Sequence, residues 1–212
     1  MSDFAALYRE FFQTIGCPLQ PEHALLLEPL SVAPQAVKQF YQVAGRAEEW
    51  TQSHHRFLAP NDWEEGEFCV FLEENQGVLL WGFRREDAHL DNPPVYQAAP
   101  EPEAPLDWEP FGLPCSQFIL FMVAFQPFNG EAAFPILDKA RFKKKVGEKI
   151  ASSPDWKLVV AWEEARVYVR PDCLLCHDDW AEGPTLFCGT HSDEQLEQIG
   201  AELGVKWDGG LY

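Results

Sequence analysis

The chain has 212 residues, 46% apolar and 14% aromatic, and a formal net charge of −18. That length suits one domain, residues 1–212, with a full core, and the acidity works against direct binding of nucleic acid or anionic lipid, whose phosphates carry the same sign. No apolar run approaches the roughly 20 residues of a membrane helix. Met1-Ser2-Asp3-Phe4 offers neither a basic leader nor a cleavage site, so a cytoplasmic protein with reduced thiols is expected.

Phe4, Leu7, Tyr8, Phe11, Phe12 and Ile15 recur at helical spacing, which predicts a first helix capped by Ser2 and stopped by Gly16. A second helix is predicted from Pro34 to Ala44, with Val37, Phe40 and Tyr41 inward and Gly45 at its end. Phe68-Cys69-Val70-Phe71-Leu72 and Val78-Leu79-Leu80-Trp81-Gly82-Phe83 flank the turn Glu73-Glu74-Asn75-Gln76-Gly77, the pattern of a hairpin buried on both faces. Asn75 and Gly77 fit a turn that needs positive φ, and Glu73 and Glu74 either satisfy turn amides or face outward.

Asp91-Asn92-Pro93-Pro94-Val95-Tyr96 reads as a turn into a short strand that Pro94 confines to an edge or entry position. Residues 98–115 are proline-rich and acidic, an extended solvated loop pinned to the body by Trp108 and Phe111. Ser116 is expected to cap an apolar helix that breaks at Pro127-Phe128-Asn129-Gly130. Asp138 to Ile150 reads as a further helix carrying the basic run Lys139, Arg141, Lys143, Lys144, Lys145 and Lys149, chiefly a solvated face. Strands follow at Lys157 to Trp162, Arg166 to Val169, Cys173 to His177 and Thr185 to Thr190. Ser192 and Gln195 form a capping box for a last helix that Gly204 ends.

Charge is unevenly spread. Residues 61–109 carry a balance of −11 and residues 171–212 one of −8, whereas residues 110–170 carry +3. An acidic surface of this kind favours a basic protein partner and also keeps a protein soluble.

From Phe40-Tyr41 and Gly45 through Phe57-Leu58, Trp63, Phe71, Glu74-Asn75-Gln76-Gly77, Trp81, Pro93-Pro94-Val95 and Trp108, the chain resembles the SUKH superfamily, relatives of the yeast Smi/Knr cell-wall regulators. The match covers roughly Pro34 to Phe125, and the Glu-Asn-Gln-Gly turn followed by Trp and then Pro-Pro-Val is its most specific part. The resemblance implies an α+β fold: a curved, mostly antiparallel sheet of about six strands, helices packed around it and an N-terminal helix pair. It also implies a non-enzymatic role without a cofactor, that of a bacterial immunity protein neutralising a toxin, often a nuclease, by binding. A housekeeping scaffold module of the same fold is the alternative. Under the first reading, the surface meeting a basic toxin domain comprises Trp63, Glu64, Glu65, Glu86, Asp87, Asp91, Glu101, Glu103, Asp107, Trp108 and Glu109.

Other patterns with chemical potential carry less. Cys173, Cys176, Cys188 and His191 have zinc-ligand spacing, but strand alternation would put Cys173 and Cys176 on opposite faces. Cys173-Leu174-Leu175-Cys176-His177 also matches a haem attachment pattern, which without export has no use. Cys17, Cys69 and Cys115 lack a nucleophile's setting, His54-His55 reads as a loop pair, and no phosphate-cradling glycine loop exists.

Overall fold

The computed structural model describes residues 3–25, 33–63, 66–101, 104–129, 134–141, 144–178 and 184–209. The fold is α+β, with two five-stranded antiparallel sheets. The expected class is thus present, but among the described residues the strands number ten in two sheets where about six in one were expected.

The helices α1 (Phe4–Thr14), α2 (Gln35–Ala44) and α3 (Glu48–Thr51) come first. Asp3 caps α1 by accepting from the Ala6 amide; Ser2 lies outside the described residues. Leu7, assigned to the inner stripe, is 36% exposed, while Phe4, Tyr8, Phe11 and Phe12 are buried. Pro34 sits just before α2 with extended backbone rather than as its first residue. The first sheet has the order β1 (Arg56–Phe57), β2 (Phe68–Glu73), β3 (Leu80–Arg84), β4 (Pro94–Ala98) and β5 (Glu109–Pro114). The predicted hairpin is β2–β3, with β3 central, and Gly77 takes the left-handed turn position at φ +70°. Asn75 is not left-handed; among the described residues only Glu163 and Asp172 are so without being glycine.

The loop at 98–115 is corrected by β5. Tyr96 pairs with Pro110 and Gln97 with Glu109, so the end of this stretch is an edge strand. Edge strands tolerate proline because one side of their backbone needs no ladder donor. The apolar helix α4 (Cys115–Asn129) starts one residue before the expected cap. Its N-terminus is satisfied from β4's approach: Asn92 Oδ1 accepts from the Ser116 amide at 2.8 Å, and Asn92 Nδ2 donates to Ser116 Oγ at 2.9 Å. The helix α4 ends at Asn129, within the stretch where a break is expected, and Pro127 lies in its last turn.

The second sheet has the order β6 (Ile136–Arg141), β10 (Thr185–Thr190), β9 (Cys173–Asp178), β8 (Ala165–Arg170) and β7 (Lys157–Trp162). The expected helix over 138–150 is divided. Its first residues form β6 on the edge of β10, and only α5 (Lys144–Ser152) is helical. Lys143 and the side chain of Lys144 lie outside the described residues. The helix α6 (Asp193–Leu203) has the expected Ser192 cap and ends at Gly204, φ +70°.

One apolar cluster joins the helices, the inner face of the first sheet and the face of the second sheet carrying Val160, Val167, Val169, Leu174 and Cys176. The opposite face of the second sheet, with Tyr168, Cys173, Leu175, Leu186 and Cys188, packs under α5 and α6. Between the sheets, Phe111 of β5 stacks on Trp162 of β7 at 4.0 Å, and Trp162 Nε1 donates to the Phe111 carbonyl at 2.8 Å. Among the described residues no helix is long and apolar enough to cross a membrane.

Candidate functional site

Two places in the molecule combine exposed or cavity-lining side chains with chemistry. The first is the face of the first sheet turned away from the large core cluster. Phe68 on β2 stacks with Trp108 at 4.4 Å and 13° and meets Tyr96 edge-on at 5.2 Å. The Arg84 guanidinium lies 5.0 Å from the Tyr96 centroid and 3.6 Å from the Glu86 carboxylate. Trp108 is half-buried; its chain neighbours Asp107 and Glu109 are exposed, and so is Glu86, the partner of Arg84. Glu109 accepts from Gln97 Nε2 at 2.8 Å. The result is an aromatic platform with one exposed edge and acids around it.

The structure brings together only part of the predicted surface. Trp63 faces the other way: its ring packs on Tyr41 and Phe83, and its Nε1 donates to the Leu58 carbonyl at 3.1 Å. Trp63 is half-buried and packed against the large core cluster, with its indole N–H satisfied internally. Asp91 is exposed near the start of α2, where its carbonyl accepts from the Ala36 amide. Asp87 is half-buried on the 3-10 turn Arg85–His89, and Glu101 is exposed in the loop before β5. Glu64, Glu65 and Glu103 lie outside the described residues.

The zinc set does not converge. Cys173 and Cys188 meet at 3.8 Å in the cluster under α6, whereas Cys176 points into the other cluster, 3.6 Å from the Ala124 carbonyl. This is the period-two alternation of a strand. His191 is held elsewhere, with Nε2 3.0 Å from the Ile15 carbonyl and 4.0 Å from Cys17 Sγ. The Cys17–His191 approach has no sequence signal, since 174 positions separate them. It makes a poor nucleophile: burial, with Glu49 and Asp172 nearby, pushes the Cys17 thiol up to about 11. The His191 nitrogen nearest to it already faces a carbonyl, so it must carry a proton and cannot accept one. None of the six cysteines is in a disulfide.

The second place is a cavity of about 420 Å³ lined by His54, His55, Glu74, Trp81 and the aromatics Phe111, Phe121, Phe125 and Trp162. His54 and His55 sit between α3 and β1, and Glu74 opens the β2–β3 turn. Gln126, only 1% exposed in apolar α4, holds the histidine pair. Its Oε1 accepts from the His54 and His55 amides at 3.0 and 2.8 Å, and its Nε2 donates to the His55 carbonyl at 2.7 Å. Glu74 Oε2 accepts from the Gln76 amide at 2.7 Å, which is the turn-satisfying role expected of it. Burial, helped by the neighbouring His54 and opposed by Glu74, lowers the His55 pKa to about 4, so its imidazole is neutral at pH 7.

No protein-family model, curated protein or solved structure matches this chain.

Sequence reasoning set His54-His55 aside as a loop pair and Glu74 as a turn residue. The signal it passed over was Gln126, a lone polar side chain inside an apolar helix, which a fold accepts when it has a hydrogen-bonding task.

Proposed function

We propose that this chain is a non-enzymatic binding protein whose acidic surface receives a basic protein domain, and that it acts as a cytoplasmic immunity protein, blocking a toxin by direct contact. The observation that carries this reading is Trp108, half-buried, stacked on Phe68 and flanked in the chain by exposed Asp107 and Glu109, with Glu86 paired to the Arg84 that lies over Phe68. Such a surface has both parts that tight binding of a cationic protein needs. The negative charge of residues 61–109, −11 in balance, draws the partner in and raises the association rate by about ten- to a thousand-fold. A rigid, preorganised tryptophan then slows dissociation as a hot spot, with truncation costing about 2 kcal/mol or more. A nuclease active site is cationic because it holds phosphates, so an acidic protein is a natural cover for it. The resemblance of residues 34–125 to the SUKH superfamily points the same way.

The test is co-expression with a toxin-like product of a neighbouring reading frame. The expected result is a stable complex burying on the order of 1,200–2,000 Å², with an association rate that falls steeply as salt rises. Joint replacement of Glu86, Asp107 and Glu109 by their amides should slow association, and Trp108→Ala should speed dissociation. A lone locus, no rescue of toxin-expressing cells, or association indifferent to both salt and these variants overturns the reading and favours the scaffold alternative.

A further inference from the structure

We propose that His54, His55 and Glu74 form a binding site for one divalent transition-metal ion of the zinc class, in the wall of the aromatic cavity. One ligating atom from each of the three lies within 4.8 Å of the other two. Two imidazoles and a carboxylate suit zinc and its neighbours rather than calcium or magnesium, which prefer all-oxygen sets. Around a tetrahedral ion with bonds of about 2.0–2.1 Å, donors sit roughly 3.4 Å apart. An ion would therefore have to draw the three donors closer together than they stand.

Three further observations point to a ligand. First, Gln126 fixes the two histidine backbones through three hydrogen bonds, so the donors are positioned before any ion arrives. Second, His55 Nδ1 is buried and has no hydrogen-bond partner among the described residues. A buried ring nitrogen without a partner costs stability, and a metal ion would satisfy it. Third, Trp81 Nε1 is likewise buried and unpartnered, and Trp81 is 4% exposed, lines the same cavity and sits 5.3 Å from the His55 ring. An ion with three protein donors keeps a fourth position for water or an anion, and that group would accept from the indole N–H. Asn75 Nδ2 lies 3.2 Å from His54 Nδ1, a contact that an ion bound at that nitrogen would replace.

The site does not depend on the acidic surface, and its test is separate from any toxin partner. The full chain, prepared without a metal-affinity tag and stripped with chelator, is titrated with zinc and, in parallel, with cobalt. The expected result is about one ion per chain, with tetrahedral cobalt bands in the visible spectrum. His54→Ala and Glu74→Gln should each weaken binding by roughly tenfold or more. Glu74→Gln keeps an acceptor for the turn amides, so it separates loss of a ligand from loss of the fold; circular dichroism of each variant checks that. Binding that is substoichiometric, or that both folded variants retain unchanged, overturns the proposal. A chain that binds zinc but no toxin leaves this site standing and removes only the immunity reading.

Discussion

At the scale of single residues, burial decides which side chains have a choice. Tyr41 is 1% exposed, and its hydroxyl lies 2.6 Å from the Leu58 carbonyl and 3.2 Å from that of Phe71, so it ties α2 to the first sheet. His55 has less compensation. Its pKa is about 4 in the fold and 6.5 in the unfolded reference, chiefly through burial. Above pH 6.5 neither state holds the proton. As the pH falls from 6.5 toward 4, the unfolded chain binds a proton that the folded chain refuses, so stability is lost across that window. Urea midpoints of the metal-free chain should therefore fall between pH 7 and pH 4.5, and His55→Gln should flatten part of that slope. Identical slopes for the two proteins would mean that carboxylates alone set the acid limit.

At the scale of elements, the β2–β3 hairpin shows what a strong local pattern can and cannot do. Its two apolar runs and glycine turn were legible because a strand buried on both faces needs continuous hydrophobicity. Gly82, within β3, has a role no pattern discloses. A Cβ there would lie 2.6 Å from the Cys69 carbonyl oxygen across the β2–β3 ladder. Backbone cannot rotate aside as a side chain can, so Gly82→Ala should destabilise the protein by roughly 1–3 kcal/mol or more. An unchanged denaturation midpoint would show that the two strands separate freely at this point. The misread elements, β5 and β6, are both edge strands. Prolines at 110 and 114 and the lysine-rich run after 138 read as loop and helix, and each segment became a strand because a neighbour offered an unpaired ladder edge.

At the scale of the whole molecule, the contact that spans the two sheets is Phe111 against Trp162. Phe111 is 7% exposed and also meets Phe118 and Phe121 of α4. Phe111→Ala should cost about 3–5 kcal/mol and, if the stack couples the sheets, should broaden the unfolding transition. A single sharp transition at an unshifted midpoint would place the coupling in α4 instead. Charge acts at the same scale. The acidic segment around Trp108 sits on the first sheet, and Lys139, Arg141 and Lys145 belong to β6 and α5 at the second, where the −8 balance of residues 171–212 in β9, β10 and α6 leaves them a local basic patch in an acidic molecule.

What the amino-acid sequence determined by itself was the local part. The helices α1, α2 and α6, the central hairpin and the opposed faces of Cys173 and Cys176 follow from side-chain period and turn chemistry, which act over a few residues, while the α+β class is what the resemblance implies. Only the tertiary structure decided the second sheet, the inward turn of Trp63, and the meeting of His54, His55 and Glu74 under Gln126. The last of these needs Gln126 to meet His54 and His55 across more than 70 positions of chain, and a packing partner that distant leaves no mark on the local pattern.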